Sequence, residues 1–307
     1  MPAWKGKSMS SDTSGDMAND PANDPASNAM DHVEVGRFWD RNADAWVRLS
    51  RAGYDVYRDL VNTPGFLEML PDVAGASGLD VGCGEGHNTR LLAERGAQVT
   101  AVDIAGRFVA AAVAEERRQP RGIRYVHASA AALPFSGGVF DFATACMSLM
   151  DMPDLAVVLA EIVRVLRPGG FLQCSIEHPC TATPNSGWVT DERGVRVGWR
   201  IGGYFAQAPY VSTWLFSAAP QDARRGLAPF RIPRFPRTLS GWLNTILAAG
   251  LVVEAAGEPS ADDAAVARYP KLAGTRMAPL FLHLRCRKPA STSVAKELQD
   301  SPAWAPS

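Results

Sequence analysis

Glycines alternate at Gly82, Gly84 and Gly86 in the run Leu79-Asp80-Val81-Gly82-Cys83-Gly84-Glu85-Gly86. Glycine lets a backbone turn sharply and approach a ligand with no Cβ in the way. A helix starting just after such a turn offers unpaired N–H groups and a positive dipole end to the same space. Asp103 lies 21 residues beyond Gly82, where the next strand is predicted to end, and a carboxylate there can accept both hydroxyls of a ribose. The chemistry so assembled is the binding of a nucleoside cofactor. A dinucleotide turn needs G-x-G-x-x-G, but residue 87 is His87. Asp80, just before the first glycine, would repel a diphosphate and suits an ammonium group.

The elements that must hold these residues follow from periodicity and punctuation. Residues 78–81 read as a strand, 88–95 as a helix stopped by Gly96, 98–102 as a strand and 107–118 as an Ala-rich helix. Residues 123–127 and 140–146 read as strands, 155–166 as an amphipathic helix halted by Pro168-Gly169-Gly170, and 170–176 as a strand. Strands alternating with helices of this length predict a parallel sheet with helices on both faces and a crevice beyond the strands' carboxyl ends. A helix over 241–249 and strands over 251–255 and 279–287 close the unit. Upstream, Phe38–Leu49 carries an apolar helical stripe and 54–60 a second short helix. Asn62-Thr63-Pro64 reads as a cap, with proline entering a third helix over 65–70.

The chain thus divides into a tail over 1–30, an N-terminal helical lid over 31–72, an α/β domain over 73–289 and a tail over 290–307. The α/β domain holds an insertion over 179–236. Both tails are poor in large apolar groups and are expected to be disordered.

Net charge is −1, from 31 basic and 32 acidic residues. No global positive field draws a nucleic acid, and Arg224, Arg225, Arg231, Arg234 and Arg237 read as a solvated face. Five cysteines with no Cys-x-x-Cys pair argue against a disulfide framework and a metal site. No run approaches a membrane-spanning length. A small-molecule enzyme of the cytoplasm is expected, with no nucleic-acid or membrane partner; its oligomeric state is not legible here.

Residues 79–86 resemble motif I of the class I S-adenosylmethionine (SAM)-dependent methyltransferases, in particular the type 11 small-molecule methyltransferase domain. Ala101-Val102-Asp103-Ile104 resembles motif II, and Leu133-Pro134-Phe135 with Phe140-Asp141 the third region. Arg164–Gly170 is similar to the helix end and turn before strand five. The resemblance covers roughly residues 75–178 and implies a Rossmann-like, seven-stranded, mostly parallel sheet with its last strand antiparallel and an inserted cap after strand five. It also implies SAM as cofactor and S-adenosylhomocysteine as product. Gly82, Cys83, Gly84 and Gly86 would run against the methionine part, with Asp80 near its amino group. Asp103 would hold the ribose, with Ile104, Ser129 and Ala130 about the adenine, Ser129 standing where the family often has Asp. Cys146 would flank the methionine or the sulfonium.

The acceptor pocket is expected from Trp39, Tyr54 and Tyr57 upstream, Met147 and Met150 after strand four, and Tyr204 of the insertion. The insertion's aromatic residues, Trp188, Trp199, Phe205, Tyr210, Trp214 and Phe216 among them, are expected to line an aromatic or apolar pocket as a group. His178 is the candidate general base or substrate orienter, with Glu177 or Asp151 as partner. The leading expectation is methyl transfer to O, N or C of a small aromatic or apolar metabolite. An RNA- or protein-modifying methyltransferase and a catalytically silent SAM-binding protein are the alternatives.

Overall fold

A computed structural model describes residues 24–25 and 30–290; apart from 24–25, 30 and 290, the two expected tails lie outside the described residues. Its strands are β1 (Asp24–Pro25), β2 (Ser77–Val81), β3 (Gln98–Asp103), β4 (Arg124–His127), β5 (Phe140–Cys146), β6 (Leu166–Glu177), β7 (Gly187–Thr190), β8 (Arg196–Arg200), β9 (Tyr210–Trp214), β10 (Phe230–Arg234), β11 (Val252–Gly257) and β12 (Phe281–Arg287). Its α-helices are α1 (His32–Arg51), α2 (Thr63–Met69), α3 (His87–Glu94), α4 (Gly106–Arg118), α5 (Leu155–Val165), α6 (Gln221–Arg224), α7 (Leu239–Ala248) and α8 (Asp263–Arg268).

Seven strands form one sheet in the order β11-β12-β6-β5-β2-β3-β4. The run from β4 to β6 is parallel, β12 is antiparallel to β6, and β11 is antiparallel to β12. Six strands therefore point one way and the last strand the other, as the resemblance implies. The chain moves from β2 to one side through β3 and β4, then to the other through β5 and β6. The carboxyl end of β2 is the point where the order reverses, and the glycine loop sits there. Alternation sends Ala143, Ala145, Leu172, Cys174 and Ile176 into a core with α5 and α7. Phe142 and Phe171 stack 5.5 Å apart on the opposite face, beside Leu92 of α3.

Local readings differ from the structure in three places. β6 begins at Leu166 rather than residue 170, because Leu166 already pairs with Phe140 ahead of a bulge. Asn62-Thr63-Pro64 is no helix start: Asn62 is helical, and its side chain makes no cap. Arg58–Asn62 is a π-turn, with the Thr63 N–H donating to the Arg58 carbonyl, and it runs straight into α2. Pro64 brings no N–H to the ladder, and the wider turn accommodates it. Third, Asp24 and Pro25, within the expected tail, pair antiparallel with Val211 and Tyr210.

The lid and the insertion pack as one body over the sheet's carboxyl edge. β9 pairs with β1 and β10, and α1 lies against β10. The Asn42 side chain donates to the Arg231 carbonyl (2.9 Å) and accepts from its N–H (3.2 Å). Trp46 of α1 lies 4.9 Å from both Phe216 and Phe230, ring to ring, in a cluster that includes Trp214. Most of the insertion's aromatic residues build packing rather than pocket. Trp188 and Trp199 meet edge to face at 4.7 Å, and Phe205 is exposed. Of the seven named, Trp214 alone lines the cavity described below. No helix among the described residues is long and apolar enough to cross a membrane.

Candidate active site

The glycine loop is folded back on Asp103. Gly82 and Cys83 both donate to the Val102 carbonyl (2.8 and 3.0 Å). The N–H of Gly84 donates to one Asp103 carboxylate oxygen and that of Ala105 to the other, each at 2.8 Å. Burial pushes the Asp103 carboxyl up to about 6, while these two donors pull it down. Gly84 is left-handed (φ +55°) and has empty space where a Cβ would stand. That space opens onto a cavity along the strands' carboxyl ends.

At one end the cavity is lined by Gly82, Cys83, Gly84, Val102, Asp103, Ile104, Phe108, Ala128, Ser129 and Ala130. Cys146 and Met147 follow at the end of β5. Burial raises both the Cys83 and Cys146 thiols, Cys146 to about 12, so neither is a ready nucleophile. The Cys146 sulfur instead accepts from the Asn62 amide at 3.3 Å. Two predicted cofactor residues do not reach the cavity. Asp80 is buried beneath the loop and accepts from the hydroxyls of Thr89 (2.6 Å) and Thr144 (2.9 Å). Gly86 is needed for packing, since a Cβ there would lie 2.5 Å from the Tyr125 hydroxyl.

The wall nearest α3 carries Asp55, Tyr57, Arg58, Asn62, His87 and Asn88. Arg58 pairs with Asp59 at 2.7 Å. Burial first, and then the Arg58 charge, lower His87 to about 4, so it is neutral at pH 7. Glu85 is buried between Arg51 of α1 (2.8 Å) and Arg90 of α3 (3.0 Å), tying the lid to the glycine loop.

Beyond Met147 and Met150, two carboxylates and one guanidinium converge. Arg234 of β10 bonds Asp151 at 3.1 Å, Glu177 at 3.0 Å and the Ser212 hydroxyl at 3.1 Å. Burial pushes the Asp151 carboxyl up to about 7, against the pull of Arg234 and with the push of Glu177. Burial works against the Arg234 charge too, but Glu177 and Asp151 outweigh it and raise its pKa. Trp39, Trp46, Trp214, Ile232 and Phe281 complete this end.

His178, expected as the base, is not in the cavity. It is buried, bonded through Nε2 to Glu258 (2.9 Å) and accepting at Nδ1 from the Cys180 N–H (3.2 Å). Glu177 and His178 are adjacent on extended chain, so their side chains leave on opposite sides. Tyr54 packs in the α1–β10 aromatic cluster, and the Tyr204 hydroxyl accepts from the Leu239 N–H at 2.8 Å; neither lines the cavity. Sequence reasoning misses Arg234, which reads as part of a solvated face and is buried. It also misses Asn62, which reads as a helix cap. A lone arginine among five gives no signal of burial; Asn62 sits just before a Pro, which masked the continuous helix.

A family model described as a methyltransferase domain matches residues 79–174. The O-methyltransferase cnsE of Penicillium expansum is 40% identical over 121 residues, 38% of this chain and 44% of that protein. The demethylmenaquinone methyltransferase of Lactococcus lactis subsp. lactis is 35% identical over 118 residues, 37% of this chain and 47% of that protein. The chain spans about half the length of the curated relatives it matches. Among solved structures, an S-adenosylmethionine-dependent methyltransferase from Mesorhizobium loti superposes with a TM-score of 0.60 at 28% identity, over 73% of this chain and 96% of that one. The [4+2]-cyclase SpnF shares the fold, with a TM-score of 0.55 at 20% identity over 86% and 98% of the two chains.

Proposed function

We infer, from a central domain that belongs to the class I SAM-dependent methyltransferases, that this chain methylates a small aromatic or apolar metabolite. The single observation that carries this is the Asp103 carboxylate, fixed by the Gly84 and Ala105 N–H groups beside open space at Gly84. Those residues fit the cofactor: the glycine backbone and Asp103 would hold the adenosyl part, Ile104, Phe108 and Ala130 the adenine face, and Arg58 and Asn62 offer donors beside the loop. SAM supplies an electrophilic methyl group on a sulfonium when bound. The chain's own work is alignment, exclusion of water and proton handling. Met147, Met150, Trp39 and Trp214 give the acceptor an apolar seat. Asp151 is the proton acceptor in this reading, in place of His178, with Glu177 and Arg234 holding it in position.

The relatives named for malonyl-[acyl-carrier protein] and demethylmenaquinone match over less than half of this chain. The acceptor is set largely outside the shared part, by α1 and the insertion. A polynucleotide is disfavoured by lining that holds five carboxylates, Asp55, Glu85, Asp103, Asp151 and Glu177, against the guanidiniums of Arg58 and Arg234. Five free thiols suit a reducing cytoplasm.

Calorimetry with SAM, S-adenosylhomocysteine and NAD, followed by mass spectrometry of an aromatic metabolite library incubated with SAM, tests the proposal. Tight binding of the first two and one added methyl group on a library member are expected. NAD binding without SAM binding would end this reading. A catalytically silent SAM-binding protein, the alternative, predicts binding of SAM and no methylated product from any acceptor.

A further inference from the structure

Among the described residues, the two carboxylates at the acceptor end face one cation that lines the cavity. Asp151 and Glu177 share Arg234, whose Nη1, Nη2 and Nε are all engaged by Asp151, Glu177 and Ser212. The other charged or titratable groups about the cluster are Arg237 and Tyr210. Arg237 lies outside the lining, and its Nη2 donates to the Met152 and Pro153 carbonyls (2.7 and 3.0 Å); Tyr210 is buried beside Arg234. The cavity face of the cluster therefore holds two carboxylates and one guanidinium, with the Arg237 charge acting on Asp151 from behind the lining. An ionised carboxylate is a hydrogen-bond acceptor only, so a ligand group meeting this face must bring protons or positive charge.

That charge balance separates the classes of acceptor. An oxygen acceptor of the phenol type reacts as its anion, and once Asp151 has taken the proton that anion would stand beside the Glu177 carboxylate, where like-charge repulsion opposes it. A basic nitrogen enters as a cation, is attracted by the same pair, and loses charge as it is activated. The aromatic and apolar wall of Trp39, Trp214, Ile232 and Phe281 seats the ring or chain that carries it. Resting on the methyltransferase reading above, we propose that the acceptor is a nitrogen base on an apolar or aromatic framework, bound as its cation against Asp151 and Glu177, with Asp151 taking its proton. In that step one N–H bond breaks, an O–H bond forms on Asp151, and the electron pair stays on nitrogen, which becomes the nucleophile. A bound sulfonium would lower the amine's own pKa toward that of the carboxyl.

The test uses the full-length protein saturated with S-adenosylhomocysteine. Matched probes differing in one group are titrated calorimetrically: phenethylamine, phenylethanol and phenylacetate, then tryptamine, tryptophol and indoleacetate. In at least one series the amine should bind about tenfold tighter than its alcohol and its acid, the size expected of a charge-assisted hydrogen bond. Asp151→Asn and Glu177→Gln should each erase that preference while S-adenosylhomocysteine affinity, which also reports the fold, holds. No amine preference in either series, including no binding by any probe, overturns the proposal, as does a preference that survives both substitutions. An anion preference with S-adenosylhomocysteine binding intact sinks this proposal alone. Failure of the unaltered protein to bind S-adenosylhomocysteine sinks the methyltransferase reading, and this proposal with it.

Discussion

At the scale of single residues, the glycine loop separates conformation from space. Gly84 and Gly86 are both left-handed, at φ +55° and +85°, but only Gly84 has open space at its Cβ position. Either alanine substitution costs about 1–2 kcal/mol for the left-handed backbone. Gly86→Ala adds a clash with the Tyr125 hydroxyl at 2.5 Å and is expected to be the less stable protein in urea. Gly84→Ala should stay folded yet lose SAM affinity in calorimetry, because its methyl group enters the cavity. Asp151 gives a second prediction at this scale. Burial lifts its pKa to about 7, and only the ionised form accepts a proton. Methyl transfer should fall as the medium is acidified through about 7 and level off above it. Asp151→Asn should lower kcat/KM by about 10²–10⁴-fold, the usual worth of a general base, and remove that limb of the pH profile. His178→Gln, with its ring held by Glu258 outside the cavity, should leave the limb in place; its disappearance would return His178 to the mechanism.

At the scale of elements, the lid and the insertion are held together by aromatic packing. Phe230 of β10 is 1% exposed and touches the rings of Trp46, Trp214 and Phe216 at 4.9 to 5.5 Å. Phe230→Ala removes that shared partner at a cost of about 3–5 kcal/mol. Hydrogen exchange should then quicken in α1, β9 and β10, while β2, β5 and β6 stay protected, because the latter draw on a separate core. Equal loss of protection throughout would show that cap and sheet unfold as one unit. Arg234 and Ile232 lie on β10, so the same variant should loosen the acceptor end and raise KM for the acceptor more than for SAM.

At the scale of the whole molecule, a ligand that seats between sheet and cap stabilises both. S-adenosylhomocysteine at a hundredfold excess over its Kd adds about 2.7 kcal/mol, or about 4 °C in Tm for a chain of this size. NAD at the same concentration should leave Tm unchanged, which differential scanning fluorimetry reads directly. While the antiparallel last strand was implied by the family resemblance, the sequence by itself determined the order of strands and helices in the parallel part of the sheet and the glycine turn with Asp103 at its switch point. These are local or regularly spaced features: apolar periodicity, glycines where the chain must turn, a carboxylate one strand away. Only the tertiary structure decided the acceptor end. Asp151, Glu177 and Arg234 are 26 and 57 residues apart in succession, and no spacing rule links a short turn, a strand end and an inserted strand. Whether such groups are solvated or buried, and whether His178 or its neighbour Glu177 turns inward, is fixed by strand alternation and by what packs against each face. Charge and burial of that kind belong to the assembled cap and sheet and are absent from either segment alone.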